Sequence, residues 1–465
     1  MVVRAGDGRK PATPNRGRST RANPEDDAPG LQARKTAARL LAAVIDKKTP
    51  LDGLTDNEHG HPQYLALEAR DRALVRAILA TALRYRNTIA ALIGSRLDRP
   101  LPANATALAH VLHVAAAQIL FLDIPDSAAV NLAVLHAKDD PRTARFSGLV
   151  NGVLREVARR KDRSLPAALA TNRDAPAWFA ERLEAAYGAE AASAILAMHR
   201  IEAPTDFTVR SDPQEWAEKL GGIVLPTGGV RVTSLDGAVA DMPGYAEGAW
   251  WVQDAAASLP ARMLGDVRGL RVADLCAAPG GKTAQLAGAG ASVTAVDVSA
   301  SRLRRLRQNM ERLGLDVDIV EADLMTWEPS SLFDAVLLDA PCSSTGTVRR
   351  HPDVVWTKSP QDIEKLAGVQ ARLLSRAALL VRPGGRLVFS NCSLDPAEGE
   401  AVIAAFLAES AGYERDPLKP DDVPGAEDFI NERGELRTTP AGFSLDDPRI
   451  SGLDGFFAAR LRRIS

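Results

Sequence analysis

The sequence predicts a multidomain chain, an all-α domain followed by a doubly wound α/β domain. Three observations carry that prediction. Over residues 31–163 apolar side chains recur at three- and four-residue spacing, as in Leu74, Ile78, Leu79 and Leu83, and strand signals are scarce. From about residue 262, β-rich runs alternate with amphipathic stretches, the pattern of a sheet covered by helices. Near the start of that second region lies Asp274-Leu-Cys-Ala-Ala-Pro-Gly-Gly-Lys-Thr283, a strand end, a tight turn and a helix start in succession. Glycine lets backbone approach a ligand closely, and a helix N-terminus offers free N–H groups, so the stretch suits a nucleotide-like ligand. It matches neither G-x-G-x-x-G nor G-x-x-x-x-G-K-[ST]. Alone it stays open between a ligand cradle and an ordinary turn.

Bulk properties narrow the classes. A chain of 465 residues corresponds to roughly two to four domains. Hydrophobic content of 46% and charged content of 25% allow a sizeable core. The net charge of -2 gives no whole-protein basic field, so nucleic-acid contact has to come from local patches. Cys276, Cys342 and Cys392 are far apart and form no C-x-x-C pair, which argues against a disulfide framework or a zinc site and suits a reducing cytoplasm. No run approaches the apolar length of a membrane span. Met1-Val-Val-Arg-Ala-Gly6 lacks the apolar core of a signal peptide.

The elements follow in order. Residues 1–30, with Arg4, Arg9, Lys10, Arg16, Arg18 and Arg21, read as a disordered basic tail that solvates the chain or weakly contacts RNA. Within residues 31–163, Pro100 and Pro102 break one helix, residues 105–122 form another, and Pro125 opens a turn before the next. Arg155, Arg159, Arg160, Lys161 and Arg163 form a candidate RNA patch, or simply a charged helix end. Residues 164–260 mix a helix from Trp178, a strand over 206–210 and glycine pairs. In the α/β domain, residues 261–465, strands are expected at 292–298, 318–323, 333–340 and 385–390, with a helix at 300–313. A further helix opens at Ser359-Pro-Gln-Asp362, with Ser as cap and Pro at the first helical position.

The candidate functional residues all fall at strand carboxyl ends, where ligands of such sheets bind. Asp297 could accept both hydroxyls of a ribose, or cap a helix. Asp323 could accept an amino proton from adenine, or brace its own loop. Asp339-Ala-Pro-Cys-Ser343 follows the fourth strand and Ser390-Asn-Cys-Ser-Leu394 the fifth, so two cysteines should face one cleft. A thiolate there could attack an electron-poor carbon once its pKa is lowered. Cys276 reads instead as packing. Arg349-Arg-His351 could meet phosphates beside the cleft, or form a solvated turn.

The motifs in order, Asp274-Leu-Cys-Ala-Ala-Pro-Gly-Gly-Lys282, Asp339-Ala-Pro-Cys-Ser343, Asn391-Cys-Ser393 and Gly452-Leu-Asp-Gly-Phe-Phe457, resemble the RNA 5-methylcytosine methyltransferases over residues 204–465. Glu68-Ala-Arg-Asp-Arg-Ala73, Gln118-Ile-Leu-Phe-Leu-Asp-Ile-Pro125, Ala128-Ala-Val-Asn131 and Leu149-Val-Asn-Gly-Val-Leu-Arg155 resemble the NusB-type RNA-binding domain. Together they resemble the RsmB (Sun, Fmu) branch, which modifies small-subunit ribosomal RNA. The resemblance implies a NusB-like domain before a Rossmann-like class I methyltransferase domain, and S-adenosylmethionine as methyl donor. Cys276, Ala277, Ala278, Pro279, Gly280, Gly281 and Lys282 would wrap the donor, Asp297 its ribose and Asp323 its adenine. Asp339 would lie near the donor's reactive end and the target base. It further implies Cys392 as the nucleophile adding to C6 of cytosine, Cys342 as the group that helps release the product, and Asp339 at the N3 edge of the base. Pro341-Cys342 offers the alternative nucleophile, in the manner of DNA cytosine methyltransferases. Two departures stand out: Asn391 where the family has Thr, and Ser344 where Gly is common.

The expected partner is small-subunit ribosomal RNA, whose cytosine must leave any stack to reach Cys392. No metal and no membrane are expected, and the chain is expected to act as a cytoplasmic monomer. Two alternatives remain: tRNA or another ribosomal cytosine, and an RNA-binding assembly or antitermination factor with a silent methyltransferase fold.

Overall fold

The computed structural model describes residues 28–235 and 237–465. The tail arginines from Arg4 to Arg21 lie outside the described residues.

The first domain is helical. Thr106–Phe121 is its central helix, apolar around most of its circumference, and Leu108, Leu112, Ala116 and Ile119 are buried in it. A helix apolar on all sides has to be wrapped by others. Leu31–Lys47, Ala69–Arg84, Arg86–Gly94, Asp126–Asp139 and Ser147–Thr171 do so. The one fully buried amide of the central helix, Gln118, is satisfied: its Oε1 accepts from Arg34 Nε at 2.9 Å and its Nε2 donates to the Val114 carbonyl. The last helix runs on through Pro166 to Thr171, so the boundary expected at residue 163 falls inside it. Leu165 and Ala168 pack on the core and hold the final turns despite the proline. Helices Ala177–Tyr187 and Ala189–His199 then pack Phe179, Leu183 and Ile195 against Val348, Val355 and Leu394 of the α/β domain.

A small antiparallel sheet follows, formed by β1 (Thr205–Val209), β2 (Ile223–Val224), β3 (Val230–Val232) and β4 (Trp250–Val252) in the order β2-β3-β1-β4. Asp206 and Arg231 are both 1% exposed and pair twice at 2.7 Å. Arg231 also donates to the carbonyls of Ile450 and Gly452, tying this sheet to the C-terminal loop.

The large sheet contains β5 (Arg271–Leu275), β6 (Ser292–Asp297), β7 (Asp318–Glu321), β8 (Phe333–Asp339), β9 (Val381–Asn391), β10 (Tyr413–Arg415), β11 (Leu436–Thr438) and β12 (Phe456–Arg463). Its order is β10-β12-β9-β8-β5-β6-β7, with β11 beside β12. β5 to β9 are parallel, whereas β12 is antiparallel to β9 and to β10. Separate apolar clusters cover the two faces, as a sheet buried on both sides requires. Helix Ala300–Leu313 buries Leu303, Leu306, Met310 and Leu313 as its spacing predicts. Ser359 forms a reciprocal capping box with Asp362. β9 begins four residues before the expected start at 385, because Arg382-Pro-Gly-Gly385 joins the strand at a register shift opposite Phe333 and Ala335.

Candidate active site

After β5 the chain continues to β6 on one side and to β8 on the other. The carboxyl end of β5 is therefore the switch point of the sheet, the place where ligands of such sheets bind. The donor-type turn starts with Cys276 in the left-handed region (φ 59°) and reaches Gly280 at φ 103°. A Cβ on Gly280 would lie 2.9 Å from Leu306 Cγ, so the position needs glycine on both counts. Thr283 Oγ1 donates to Asp274 Oδ2 at 2.6 Å, while the fully buried Asp274 Oδ1 has no partner. Burial pushes the Asp274 carboxyl up to about 7. Burial also pushes the Cys276 thiol up to about 12, helped by Asp297, Asp339 and Asp274, so this cysteine is an inert lining group encircled by acids.

The predicted acids have distinct surroundings. The Asp297 carboxylate accepts from Ser299 N at 2.9 Å, Arg302 at 2.8 Å and Ala278 N at 3.3 Å, bracing the donor turn. Capping of the next helix falls to Ser299. Asp323 is exposed and accepts from Met325 N at 2.9 Å, the loop-bracing arrangement. Asp339 is gripped at both oxygens: Lys282 Nζ donates to Oδ2 at 2.7 Å, and Ser390 Oγ to Oδ1 at 2.9 Å. Lys282, expected to wrap the donor, thus points toward Asp339, with its ammonium 5.0 Å from the Phe456 ring centre.

β8 and β9 are in register at Asp339 and Ser390, which puts the two cysteine loops side by side. The Sγ atoms of Cys342 and Cys392 are 3.4 Å apart. The contact with Cys342 lowers the Cys392 pKa against burial and the Asp339 charge, and Ser344 and Lys282 add to the lowering. The same contact, together with burial, raises Cys342. Ser344 adopts φ 60°, which explains why glycine is common at this position, and its hydroxyl lies 4.0 Å from Cys342 Sγ. Asn391 folds the Cys392 loop: its Oδ1 accepts from Ser393 N at 2.9 Å and its amide donates to the Glu398 carbonyl. Gly346 N donates to the Cys392 carbonyl, and Gly455 N to the Gly346 carbonyl, both at 2.9 Å. A Cβ on Gly346 would sit 1.9 Å from the Gly455 carbonyl oxygen, so these backbones meet only because both residues are glycine.

Ser390, Ser343, Ser393 and Glu398 escaped the sequence reading. The available signal was a serine directly after each of the two cysteines. One expectation is corrected. Arg349-Arg-His351 does not reach out to phosphates: Arg349 is 1% exposed, Arg350 pairs with Asp254 and Asp454, and His351 Nδ1 lies 3.3 Å from Asp52. The chain after Cys342 turns inward between the helical domain and the small sheet, where Asp254 and Asp454 need a cation. In the other basic run, Arg159 and Arg160 bond Glu156, Lys161 bonds Asp126, and Arg155 and Arg163 are exposed. Among the described residues no group of His, Cys, Asp and Glu could hold a metal ion, and no helix is long and apolar enough to cross a membrane.

The profile of the 16S rRNA methyltransferase RsmB/F family matches residues 261–462, and that of the NusB family residues 31–159. The chain is similar to ribosomal RNA small subunit methyltransferase B of Xanthomonas campestris pv. campestris, 38% identical over 85% of this chain and 92% of the relative. It is similar to the protein of the same name from Pseudomonas syringae pv. tomato, 34% identical over 94% of this chain and 98% of the relative. The chain belongs to the RsmB/F family. A solved methyltransferase homolog from Pyrococcus horikoshii, 30% identical, superposes with a TM-score of 0.50 over 61% of this chain and 94% of its own.

Membership in the RsmB/F family makes the chain an S-adenosylmethionine-dependent RNA methyltransferase. The site's residues fit that donor. A sulfonium and an ammonium need negative surroundings, and Asp274, Asp297 and Asp339 all face the Cys276 turn. The unpartnered Asp274 Oδ1 leaves one free acceptor beside that turn, and Gly280 lets the turn pack closely on Leu306 and Met310 of the following helix.

Proposed function

We propose that the chain methylates C5 of a cytosine in small-subunit ribosomal RNA through a covalent adduct between Cys392 and C6. The observation that carries this reading is the thiol pair, 3.4 Å apart, beside an Asp339 held at both oxygens. Cytosine C5 is a poor nucleophile. Addition of the Cys392 thiolate at C6 turns C5 into an enamine carbon, and negative charge develops toward N3. In this reading the Lys282 ammonium offsets that charge, and Asp339, bonded to it, meets the N3 edge through a proton the pair shares. The bound donor supplies the electrophilic methyl group. The C5 proton then leaves to water, the C5–C6 double bond re-forms as the Cys392–C6 bond breaks, and the departing Cys392 thiolate is met by the neighbouring Cys342 thiol. Residues 276–282 with Asp297 and Asp323 hold the donor, and residues 31–163 contribute RNA contacts.

The lowered Cys392 and raised Cys342 support this assignment over the one with Cys342 as nucleophile. The same reading has the enzyme working in the cytoplasm as a monomer, with the domain division set out above. Bisulfite sequencing of ribosomal RNA and tRNA, with and without the protein, tests the substrate: a ribosomal cytosine that loses its mark is expected. A mark lost only from tRNA overturns the ribosomal assignment.

A further inference from the structure

One buried acid lies behind the thiols and has no part in the reaction as described. Glu398 ends the short 3-10 turn Pro396–Glu398 and is 0% exposed. Its Oε1 accepts from Ser343 N at 2.8 Å and from Gln370 Nε2 at 3.0 Å. Its Oε2 accepts from the hydroxyls of Ser343 and Ser393. Ser343 directly follows Cys342, and Ser393 directly follows Cys392. One carboxylate therefore holds the residue after each thiol, on loops that leave two different strands. Thr345 Oγ1 closes the cluster, 3.3 Å from Ser343 Oγ and 3.1 Å from Ser393 Oγ. Gln370 also donates to the Pro341 carbonyl at 3.0 Å, so the Cys342 loop is pinned on both sides of the cysteine.

A buried carboxylate without a cation is costly, and such groups persist where donors surround them. Burial raises the Glu398 carboxyl, and the donors of Gln370, both serine hydroxyls and the Ser343 N–H oppose that rise by favouring the ionised form.

We propose that Glu398 is a positioning residue that clamps the two cysteine loops together and fixes the separation at which Cys342 donates its hydrogen bond to Cys392. Its charge acts in the same direction. The Glu398 field raises Cys342, adding to the hydrogen bond and burial that already do so, and thereby keeps that thiol protonated as the donor. Geometry and charge together leave Cys392 as the sulfur that ionises. This inference rests on the reading of Cys392 as nucleophile.

The test is Glu398→Gln, which keeps the size of the side chain while removing its charge and setting an amide N–H against a ring of donors. Alkylation by iodoacetamide, read by mass spectrometry at each cysteine across pH, needs neither RNA nor donor. The wild type should alkylate Cys392 at least about tenfold faster than Cys342 near neutral pH, and the variant should bring the two rates within about threefold. In single-turnover methyl transfer, the variant's rate should fall about 100-fold while donor affinity stays unchanged. Retention of the wild-type preference, with activity in proportion to the folded fraction, overturns the proposal and makes Glu398 a packing residue. If Glu398→Gln does not fold, Ser393→Ala removes one arm of the clamp and leaves the charge. A partial loss of preference supports the clamp, and an unchanged preference overturns it. A wild type that prefers Cys392 in alkylation yet methylates no RNA would count against the transferase reading alone.

Discussion

Two regions of the molecule are built from the same residue types and put them to opposite uses. At the carboxyl ends of β5, β8 and β9, Asp339, Lys282 and the thiols converge on an open crevice. About one loop away, residues 349–357 meet the helical domain in a seam. There Lys48 donates to the Trp356 carbonyl, Leu51 N to Asp353, Trp356 Nε1 to the Leu83 carbonyl and Arg84 to the Arg349 carbonyl. Arg, Lys and Asp serve both. In the crevice Lys282, Asp339 and Ser390 bond one another within a single domain, whereas in the seam the polar groups bond partners across the domain interface. A charged residue beside an active site is thus not evidence of chemistry until its partners are known. The seam also begins seven residues after Cys342, so the helical domain buttresses the loop that carries one of the two thiols.

If that contrast is right, crevice variants should lose turnover and keep stability, and seam variants the reverse. The largest effect is expected for Cys392→Ala: methyl transfer to RNA is abolished, with thermal stability and donor binding by calorimetry unchanged. Full turnover by this variant would move the nucleophile elsewhere. Cys342→Ala should stall after addition. A protein–RNA adduct that survives denaturing gel electrophoresis is expected, absent from Cys392→Ala, and the reverse pattern would exchange the two roles. Ser390→Ala frees one oxygen of Asp339. Loss of a hydrogen bond to a charged group, ~1.5–3 kcal/mol, corresponds to kcat lower by about 10- to 100-fold with the melting temperature little changed.

On the other side of the contrast, Trp356→Ala should cost ~2–3 kcal/mol in denaturant unfolding, below the full-burial figure because the ring is only partly buried. Activity per folded molecule should fall far less than for Ser390→Ala. A Trp356 variant of normal stability with collapsed kcat would break the comparison, and would mean that the seam transmits directly to the Cys342 loop.

The unequal legibility of the two regions has a physical cause. The crevice was readable because an open parallel sheet places its ligands at strand ends, so Asp297, Asp339, Cys342 and Cys392 announce themselves by position in short contiguous motifs. Helix 300–313 and the Ser359 cap were readable for the same reason: periodicity and capping are local. The clamp at Glu398 was not, because its partners Ser343 and Gln370 come from other elements and only the sheet register joins them. The seam was least readable. Arg349 and Arg350 look like any basic pair, and what turns them inward, Asp254, Asp454 and the Arg84 side chain, lies about 100 to 270 residues away. The domain boundary expected at residue 163 falls inside a helix for a similar reason, since packing of Ala168 carries that helix on through Pro166.

The smallest effect tests the seam through pH. His351 Nδ1 lies 3.3 Å from Asp52, and that hydrogen bond raises the histidine pKa above its ordinary 6.5, burial opposing it. A group raised on folding contributes stability that is complete below its unfolded pKa and disappears as pH rises through its folded value. The Asp52 carboxyl is lowered by the same bond, so its share is present above the ordinary carboxylate range and is lost on acidification. The pair should therefore stabilise the seam in weakly acidic to neutral solution and release it in mild alkali. Both side chains are well exposed, at 40% and 77%, so the contribution is below about 0.5 kcal/mol and screened by salt. Thermal melts of His351→Gln and wild type should differ slightly near pH 6 and coincide above about pH 8. A difference that instead grows with pH would show that His351 acts through packing, and that the polar pairs of the seam add nothing to its hydrophobic contact at Trp356.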